Sequence, residues 1–380
     1  MTVLTGARVV TPAGALEHGW VALDGDRIRE LGSGEPPSDA AVHDLGGGWL
    51  LPGFVDMHVH GGGGSSFTTG DPDEARRVVE FHRRHGTTTI FASLVTAALP
   101  ILRTAITGLS DLVDDGTLAG VHLEGPYLAK IRCGAHDPAL LREPNSEELA
   151  ALLSCGRGAV RQVTVAPELP GAVELIRQIT DAGVVAAAGH TDATYAQARA
   201  AFDAGATVVT HLFNGMRPIH HREPGLITAA LADHRVFLEL INDGVHVHDA
   251  VVRATFAWAA GPRVALVTDA MAAAGFGDGR YRLGSQDVCV LDGVARLSNG
   301  TSIAGSTLTM DRALRHAVRR AGVSIVDAAR AAATTPAAAL GLDRVGGIAK
   351  GWQADLVVLD DDLAVRAVLQ RGSWVEGPRP

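Results

Sequence analysis

Cysteine is scarce in this 380-residue chain, with only Cys133, Cys155 and Cys289, and no two of them form a CxxC pair. Neither a disulfide framework nor a thiolate zinc site is therefore indicated. No Lys/Arg run is present and the net charge is −9, which argues against a general nucleic-acid binder. An anionic substrate would have to be attracted locally, by a few arginines, histidines or metal ions. No apolar run reaches the roughly 20 residues that span a bilayer. Met1–Val10 lacks the basic region, apolar core and small-residue cleavage site of a secretory signal, so the expected location is the cytoplasm. No GxGxxG or P-loop motif follows the first strand of the large domain, and there is no fixed-period repeat or low-complexity tract. What remains is an apolar share of 47% with 20% charged residues, the balance of a well-buried enzyme.

The length suits one large α/β domain with a small satellite. Thr2–Val10, Gly19–Leu23 and Arg27–Leu31 read as strands, separated by Pro12–Gly14 and by Asp24–Asp26, where Asp24-Gly25 signals a hairpin. Gly46–Gly48 is a flexible join. The β style returns at Asp355–Leu359, Val365–Gln370 and Trp374–Glu376, so residues 1–52 and 346–380 are expected to form one small β-sandwich.

Residues 53–345 lie between. Here Gly53–His60, Thr87–Leu94, Ala119–Glu124, Arg161–Glu168, Val184–His190, Val208–Asn214, Phe237–Asp243 and Val264–Asp269 read as core strands. They alternate with helical stretches such as Asp73–His85, Glu147–Leu153, Val173–Ala182, Ala193–Ala204 and Asp249–Ala260. Parallel strands need crossover helices, so this alternation predicts an α/β fold, a (β/α)₈ TIM-like barrel. A barrel of that kind takes about 250 residues. Arg280–Leu283, Asp287–Leu291 and Val294–Leu297 interrupt the rhythm as a β insertion at about 275–300. Thr309–Ala321 and Ile325–Ala333 resume as helices, and Thr334-Thr335-Pro336 is expected to start another.

Metal-ligand residue types gather at the strand ends, where barrel enzymes keep their chemistry. Strand 1 ends Asp56-Met57-His58-Val59-His60, strand 3 ends His122-Leu123-Glu124, strand 5 ends at His190 and strand 6 reaches His211. Strand 7 runs into Asp243-Gly244-Val245-His246, and strand 8 ends at Asp269. His58 and His60 have the period-2 spacing that puts two side chains on one strand face. The competing interpretation, of unrelated histidines that satisfy turn backbones, needs a separate coincidence at each strand end.

Leu51-Pro52-Gly53-Phe54-Val55-Asp56-Met57-His58-Val59-His60-Gly61 resembles the opening of the amidohydrolase superfamily. Within it, several motifs are similar to those of the N-acetylglucosamine-6-phosphate deacetylases. They are His122-Leu123-Glu124-Gly125-Pro126-Tyr127, Gly134-Ala135-His136, Ala188-Gly189-His190-Thr191 and Thr210-His211-Leu212-Phe213-Asn214-Gly215-Met216, then Arg222-Glu223-Pro224-Gly225, Asp243-Gly244-Val245-His246, Val267-Thr268-Asp269-Ala270 and Ile303-Ala304-Gly305-Ser306. The likeness covers essentially the whole chain. It implies Glu124, His190 and His211 as the principal metal site, with His58, His60 and Asp269 available for a second ion and Glu124 able to bridge. Zn²⁺ is the first expectation, and Fe²⁺, Ni²⁺, Mn²⁺, Co²⁺ or Cd²⁺ suit the same ligands. It also implies Asp269 as general base and acid, and His136 as a hydrogen-bond donor to the acetyl oxygen. Asn214 and Gly215 would hold sugar hydroxyls, with Ala135, Asp243, Ile303, Ala304 and Gly305 around them. Arg222 and His246 would grip the phosphate, Arg222 reaching across from the other subunit of a homodimer.

Two rivals remain at this level. Another amidase of the superfamily, dihydroorotase-like or acting on N-acyl amino acids, would not need the Arg222–His246 grip. A catalytically dead binding scaffold would have lost ligands that are all present here. Cys133, just before Gly134, reads as a small filler, with a redox-sensitive position as the alternative, and Cys155 and Cys289 read as structural. Trp258 and Trp352 read as packing residues, His82 and His85 as an exposed helix end, and His220 and His221 as a solvated loop.

Overall fold

The computed structural model describes residues 2–37, 41–300 and 302–375. The chain begins with strands β1 (Thr2–Thr11), β2 (Gly14–Asp24), β3 (Arg27–Ser33), β4 (Ala41–Asp44) and β5 (Trp49–Pro52). Asp24 faces Arg27 across the β2–β3 hairpin. Its two-residue loop places Gly25 at φ +59°, the left-handed conformation that such tight hairpins require.

A second sheet starts at β6 (Phe54–Asp56), and a two-residue hairpin follows, β7 (Gly61–Gly62) with β8 (Ser65–Ser66). The sheet continues through β9 (Thr87–Val95), β10 (Gly120–Glu124), β11 (Val160–Val165), β12 (Val185–Ala188), β13 (Ala206–Val209), β14 (Phe237–Ile241) and β15 (Val264–Val267). Its eight strands, β6 and β9 to β15, pair in chain order, each parallel to the next. The crossovers that parallel pairing demands are α1 (Pro72–Arg84), α2 (Leu99–Asp114), α3 (Ser146–Cys155), α4 (Ala172–Asp181), α5 (Tyr195–Asp203), α6 (Gly225–Ala232) and α7 (Asp249–Trp258). Between the last strand and the first, side chains and flanking backbone make the junction. Asp56 Oδ2 accepts from Thr268 Oγ1 at 2.5 Å, and Asp269 N–H donates to His58 O at 2.8 Å. The result is a (β/α)₈ barrel.

Local sequence explains each crossover in the same way. In α1, Asp71 caps the Asp73 and Glu74 N–H groups, Pro72 opens the first turn, and Ala75, Val78, Val79 and His82 form the buried stripe. The cap contributes about 1 kcal/mol, and burying each valine about 1.5–3 kcal/mol. Inside the barrel the period-2 alternation separates function from packing. In β10, Val121 and Leu123 join the main hydrophobic core with the helices, while His122 and Glu124 face inward. In β14, Leu238 and Leu240 join that core and Glu239 faces inward.

After β15 a meander of β16 (Gly279–Leu283), β17 (Gln286–Leu291) and β18 (Val294–Leu297) forms its own sheet. Val288, Val290, Ala295 and Leu297 pack with Val95 and Met271 over the barrel mouth. Helices α8 (Met310–Arg319), α9 (Ile325–Ala329) and α10 (Thr335–Ala339) follow, then β19 (Leu356–Leu359), β20 (Val365–Gln370) and β21 (Ser373–Trp374). β19 pairs antiparallel with β5, so the two ends of the chain share one sheet in the order β21-β20-β19-β5-β1-β2-β3, with β4 on β1. Leu4, Ile28, Val358 and Leu369 share its core. Among the described residues no helix is long and apolar enough to cross a membrane.

Several local expectations are corrected. The helices Leu99–Asp114 and Gly225–Ala232 and the strands Ala41–Asp44 and Trp49–Pro52 are additional to those read from sequence. Thr335-Pro336 opens α10 as expected, with the proline in its first turn, and Arg330–Thr334 forms a π turn that joins α9 directly to it. Trp258 is 53% exposed rather than a packing residue. His82 is fully buried rather than at an exposed end, because it lies on the core stripe of α1 and its Nε2–H donates to Gly61 O at 3.0 Å. Cys289 is exposed on the meander. Glu376, the expected end of the last strand, lies outside the described residues.

Candidate metal centre

The six expected ligands converge above the barrel's C-terminal end. The ligand atoms of His58, His60 and Asp269 lie within 4.8 Å of one another, and so do those of Glu124, His190 and His211. The barrel strands stop earlier than their apolar patterns suggested: β6 ends at Asp56, β12 at Ala188, β13 at Val209 and β15 at Val267. At three of these ends the ligand residue takes a left-handed backbone, with φ +47° at His190, +29° at His211 and +47° at Asp269. Non-glycine residues held in that region concentrate at functional sites, and here the turn breaks the ladder just before each ligand.

Glu124, the last residue of β10, sits between the two groups. Its Oε1 is 3.0 Å from both His190 Nε2 and His211 Nε2, and its Oε2 is 3.2 Å from His60 Nε2. Asp269 Oδ1 lies 3.1 Å from His60 Nε2. Nitrogens also face nitrogens: His58 Nε2 is 3.2 Å from His60 Nε2, and His190 Nε2 is 3.1 Å from His211 Nε2. The far sides of three rings show why. His58 Nδ1 donates to Glu239 Oε2 at 2.9 Å, His60 Nδ1 to Ser93 O at 3.0 Å and His190 Nδ1 to Arg132 O at 2.8 Å. Each of those Nδ1 atoms carries the proton, so each Nε2 presents a lone pair inward, the arrangement that ligating histidines adopt. These residues fit divalent metal ions.

The electrostatics make the same demand for positive charge. Burial opposes charge on His58, yet Glu124, Glu239 and Asp269 hold its pKa well above the ordinary value. Burial is likewise overcome at His60, which Asp269 and Glu124 push up to about 9. Burial would raise both carboxylates, but His58 and His136 hold Glu124 well below its usual range, and His58 and His60 bring Asp269 down to about 2.

His136 differs from the other four imidazoles. Its Nδ1 accepts the Thr96 backbone N–H at 3.2 Å, so its proton sits on Nε2, which faces Glu124 Oε2 at 3.3 Å. Burial pushes its pKa down to about 4. It is a neutral donor aimed at the centre, in contrast to the lone pairs that the metal-facing rings present.

A cavity of about 390 Å³ opens over these groups. His60, Glu124, His190, His211 and Asp269 line its floor, and Ala135, His136, Asn214, Gly215 and His246 its sides. Ile303 and Gly305 complete the wall, with Leu283, Arg296 and Ser302 of the meander and the turn after it, none of which the motifs had indicated. Gly215 has φ +59°, and a Cβ there would come within 2.9 Å of His190 Nδ1. Asp243 stands behind His246, whose Nδ1 lies 2.7 Å from Asp243 Oδ2. Burial disfavours the imidazolium, but that carboxylate raises the His246 pKa above its ordinary value. His58 lies beneath the floor and Ala304 is buried behind the wall. Arg222 is not brought to this cavity by its own chain: it is exposed, and its guanidinium donates to His221 Nε2 at 2.7 Å. Among the described residues it makes no ion pair with Glu223, which lies 3.4 Å from Arg217 instead. A larger hollow, about 860 Å³, lies between α2 and α3 and has no metal-ligand cluster.

Two buried partners, Glu239 and Gln162, escaped the strand-end pattern because they lie mid-strand. A lone acid within the apolar run Phe237–Ile241 was the available signal, since a buried carboxylate demands donors.

Comparison with known proteins agrees with this geometry. The model of the amidohydrolase family matches residues 49–375. An N-acetylgalactosamine-6-phosphate deacetylase of Escherichia coli O157:H7 is 38% identical over 384 residues, covering 99% of this chain and 98% of its own. An N-acetylglucosamine-6-phosphate deacetylase of Bos taurus is 39% identical over 356 residues, covering 89% and 86%. The crystal structure of N-acetyl-D-glucosamine-6-phosphate deacetylase from Mycobacterium smegmatis is similar with a TM-score of 0.96 and 49% identity, over 99% of this chain and all of that one.

Proposed function

This chain belongs to the amidohydrolase family, and from that premise we propose that it removes the N-acetyl group of N-acetyl-D-glucosamine 6-phosphate, releasing D-glucosamine 6-phosphate and acetate in amino-sugar breakdown. One observation carries the reading: Asp269 on the cavity floor and the Nε2–H of His136 on its side face the same Glu124-centred group. That pairing supports a base and an acyl-oxygen donor beside a bound divalent ion.

Glu124, His190 and His211 would hold one divalent ion, and His58, His60 and Asp269 a second, with Glu124 between them. We take Zn²⁺ as the first candidate, and Fe²⁺, Ni²⁺, Mn²⁺, Co²⁺ and Cd²⁺ suit the same donors. A bound divalent ion supplies a water acidified toward neutral pH and polarisation of the amide carbonyl. Asp269 takes the proton from the attacking water. His136 donates its Nε2–H to the acetyl oxygen as negative charge develops there. The C–N bond then breaks, Asp269 returns the proton to the leaving nitrogen, and the acetyl carbon departs as acetate. Asn214 and the Gly215 backbone would meet sugar hydroxyls, and His246, backed by Asp243, the phosphate. Arg222, which does not enter its own cavity, would complete the phosphate grip of a neighbouring subunit in a homodimer, since a guanidinium holds two phosphate oxygens at once. We place the enzyme in the cytoplasm.

The testing experiment measures acetate release from N-acetylglucosamine 6-phosphate beside the unphosphorylated sugar and the 4-epimer, N-acetylgalactosamine 6-phosphate. Each substrate is run after chelation and after divalent-metal restoration. Metal-dependent release from N-acetylglucosamine 6-phosphate, and little from the unphosphorylated sugar, is the expected result. Faster release from N-acetylgalactosamine 6-phosphate would move the substrate to that epimer, and no release from any of the three, in metal-replete protein, would refute the reading.

A further inference from the structure

Beneath the metal centre lies a carboxylate that belongs to neither ligand group and does not line the cavity. Glu239, in the middle of β14, is wholly buried. Its Oε2 accepts from His58 Nδ1 at 2.9 Å and from the His211 backbone N–H at 3.2 Å. Its Oε1 accepts from Gln162 Nε2 at 2.9 Å, and Gln162 on β11 is also fully buried. On the Oε1 side the carboxylate thus meets a neutral amide. Glu239 touches one residue from each ligand group without reaching the atoms that would meet an ion.

The four imidazoles of the two ligand groups are not supported alike. His60 and His190 rest their Nδ1–H groups on backbone carbonyls, and His211 Nδ1 has no partner among the described residues. His58 alone among them is backed by a carboxylate. A carboxylate that accepts Nδ1–H fixes the ring and its tautomer, and makes the opposite nitrogen a stronger donor than a carbonyl would.

We propose that Glu239, held in place by Gln162, is a positioning residue that sets the affinity of the His58–His60–Asp269 position for a divalent ion, and so decides whether the chain carries one ion or two. This role rests on the metal-dependent reading above. The Glu124–His190–His211 group has its own support in Arg132 O, so a change at Glu239 falls mainly on the other position.

The test uses the full chain stripped with a chelator and titrated with Zn²⁺ against a chromophoric competitor, with elemental analysis for stoichiometry. Wild type is expected to take two ions. Glu239→Gln, which keeps shape and removes the charge, should weaken one of them by about 10–100-fold and leave the other nearly unchanged. Gln162→Leu should weaken the same position by less, and it carries the test alone should Glu239→Gln fail to fold by circular dichroism. Two ions bound at wild-type affinity in the folded variants would overturn the role, as would equal weakening of both. A wild type that takes a single ion yet releases acetate would overturn it while leaving the deacetylase reading intact. Selective loss in Glu239→Gln, with no acetate release by fully loaded wild type, would leave the role standing and refute that reading instead.

Discussion

His136 offers the sharpest test of the chemistry, because its tautomer is read from the backbone. The Thr96 N–H occupies Nδ1, which leaves Nε2 as the donor toward the Glu124 group. Asparagine at this position would present an acceptor near Nδ1 and so retain the Thr96 contact, but it has nothing at Nε2. Glutamine reaches the Nε2 position with an amide N–H. Removing one donor to a developing oxyanion costs about 2.7–4 kcal/mol, or about 10²–10³ in kcat. His136→Asn should therefore lose that factor, with KM changed by no more than about threefold, because the donor acts chiefly on the transition state. His136→Gln should recover part of the loss. The assay is acetate release at saturating sugar phosphate, paired with metal analysis of each variant. Wild-type turnover in His136→Asn would refute the reasoning. Loss of a metal ion from that variant would refute it differently, by making His136 a ligand rather than a donor.

Asp269→Asn should lower kcat by about 10²–10⁴ by removing the proton carrier; full activity in that variant would sink the assignment. Stripping the ions should lower the melting temperature as well as activity, since an ion at 100 times its Kd contributes about 2.7 kcal/mol to the folded state, and a melt indifferent to chelation would contradict a metal site. Burial holds His82 down to about 4 from 6.5. A depressed histidine stabilises the fold above its unfolded pKa and loses that contribution as pH falls through the folded one. Wild type should thus lose about 3 kcal/mol between about pH 6.5 and 4 that His82→Gln does not, and parallel urea melts of the two at those pH values would disprove it.

Much of this fold is legible in the sequence because two periodicities announce it. The apolar runs that became β9, β10 and β14 and the helical stripe of α1 are where the sequence pattern put them. The Asp24-Gly25 turn and the strands of the meander follow from turn chemistry. Strand ends were less legible. The apolar pattern of Val184–His190 runs on past Ala188, but the peptide turns left-handed at His190, and neither histidine nor its neighbours announce that φ. Helix Leu99–Asp114 was hidden because it follows β9 with no side-chain cap on its first turn. The position of Arg222 relative to the cavity depends on how a loop is laid down, which no local pattern encodes. The candidate ligands stand out as residue types at recurring strand ends, whereas Glu239 and Gln162 lie mid-strand, off that pattern, with only a lone acid in an apolar run to mark the first.

The polar interior of this barrel explains why metal and fold belong together. Asp56, Glu124, Glu239 and Asp269 are all buried near one end. Among the described residues Arg263 is the one buried arginine and no lysine is buried. Arg263 stands at the start of β15, where its guanidinium donates to the carbonyls of Ala230, Asp233 and Val236. It cannot answer the carboxylates at the mouth. Burial instead pushes Asp56 up to about 7, against its bonds from Thr268, so this acid can shed its charge, while Glu124 and Asp269 are held ionised by the imidazoles around them. Several kcal/mol attach to each buried charge that lacks a partner. The remaining negative charge can be met by protons on His58 and His60 or by cations among the same atoms. The inward lone pairs fixed by Ser93, Arg132 and Glu239 favour the cations, and this couples the stability of the barrel mouth to the chemistry performed there.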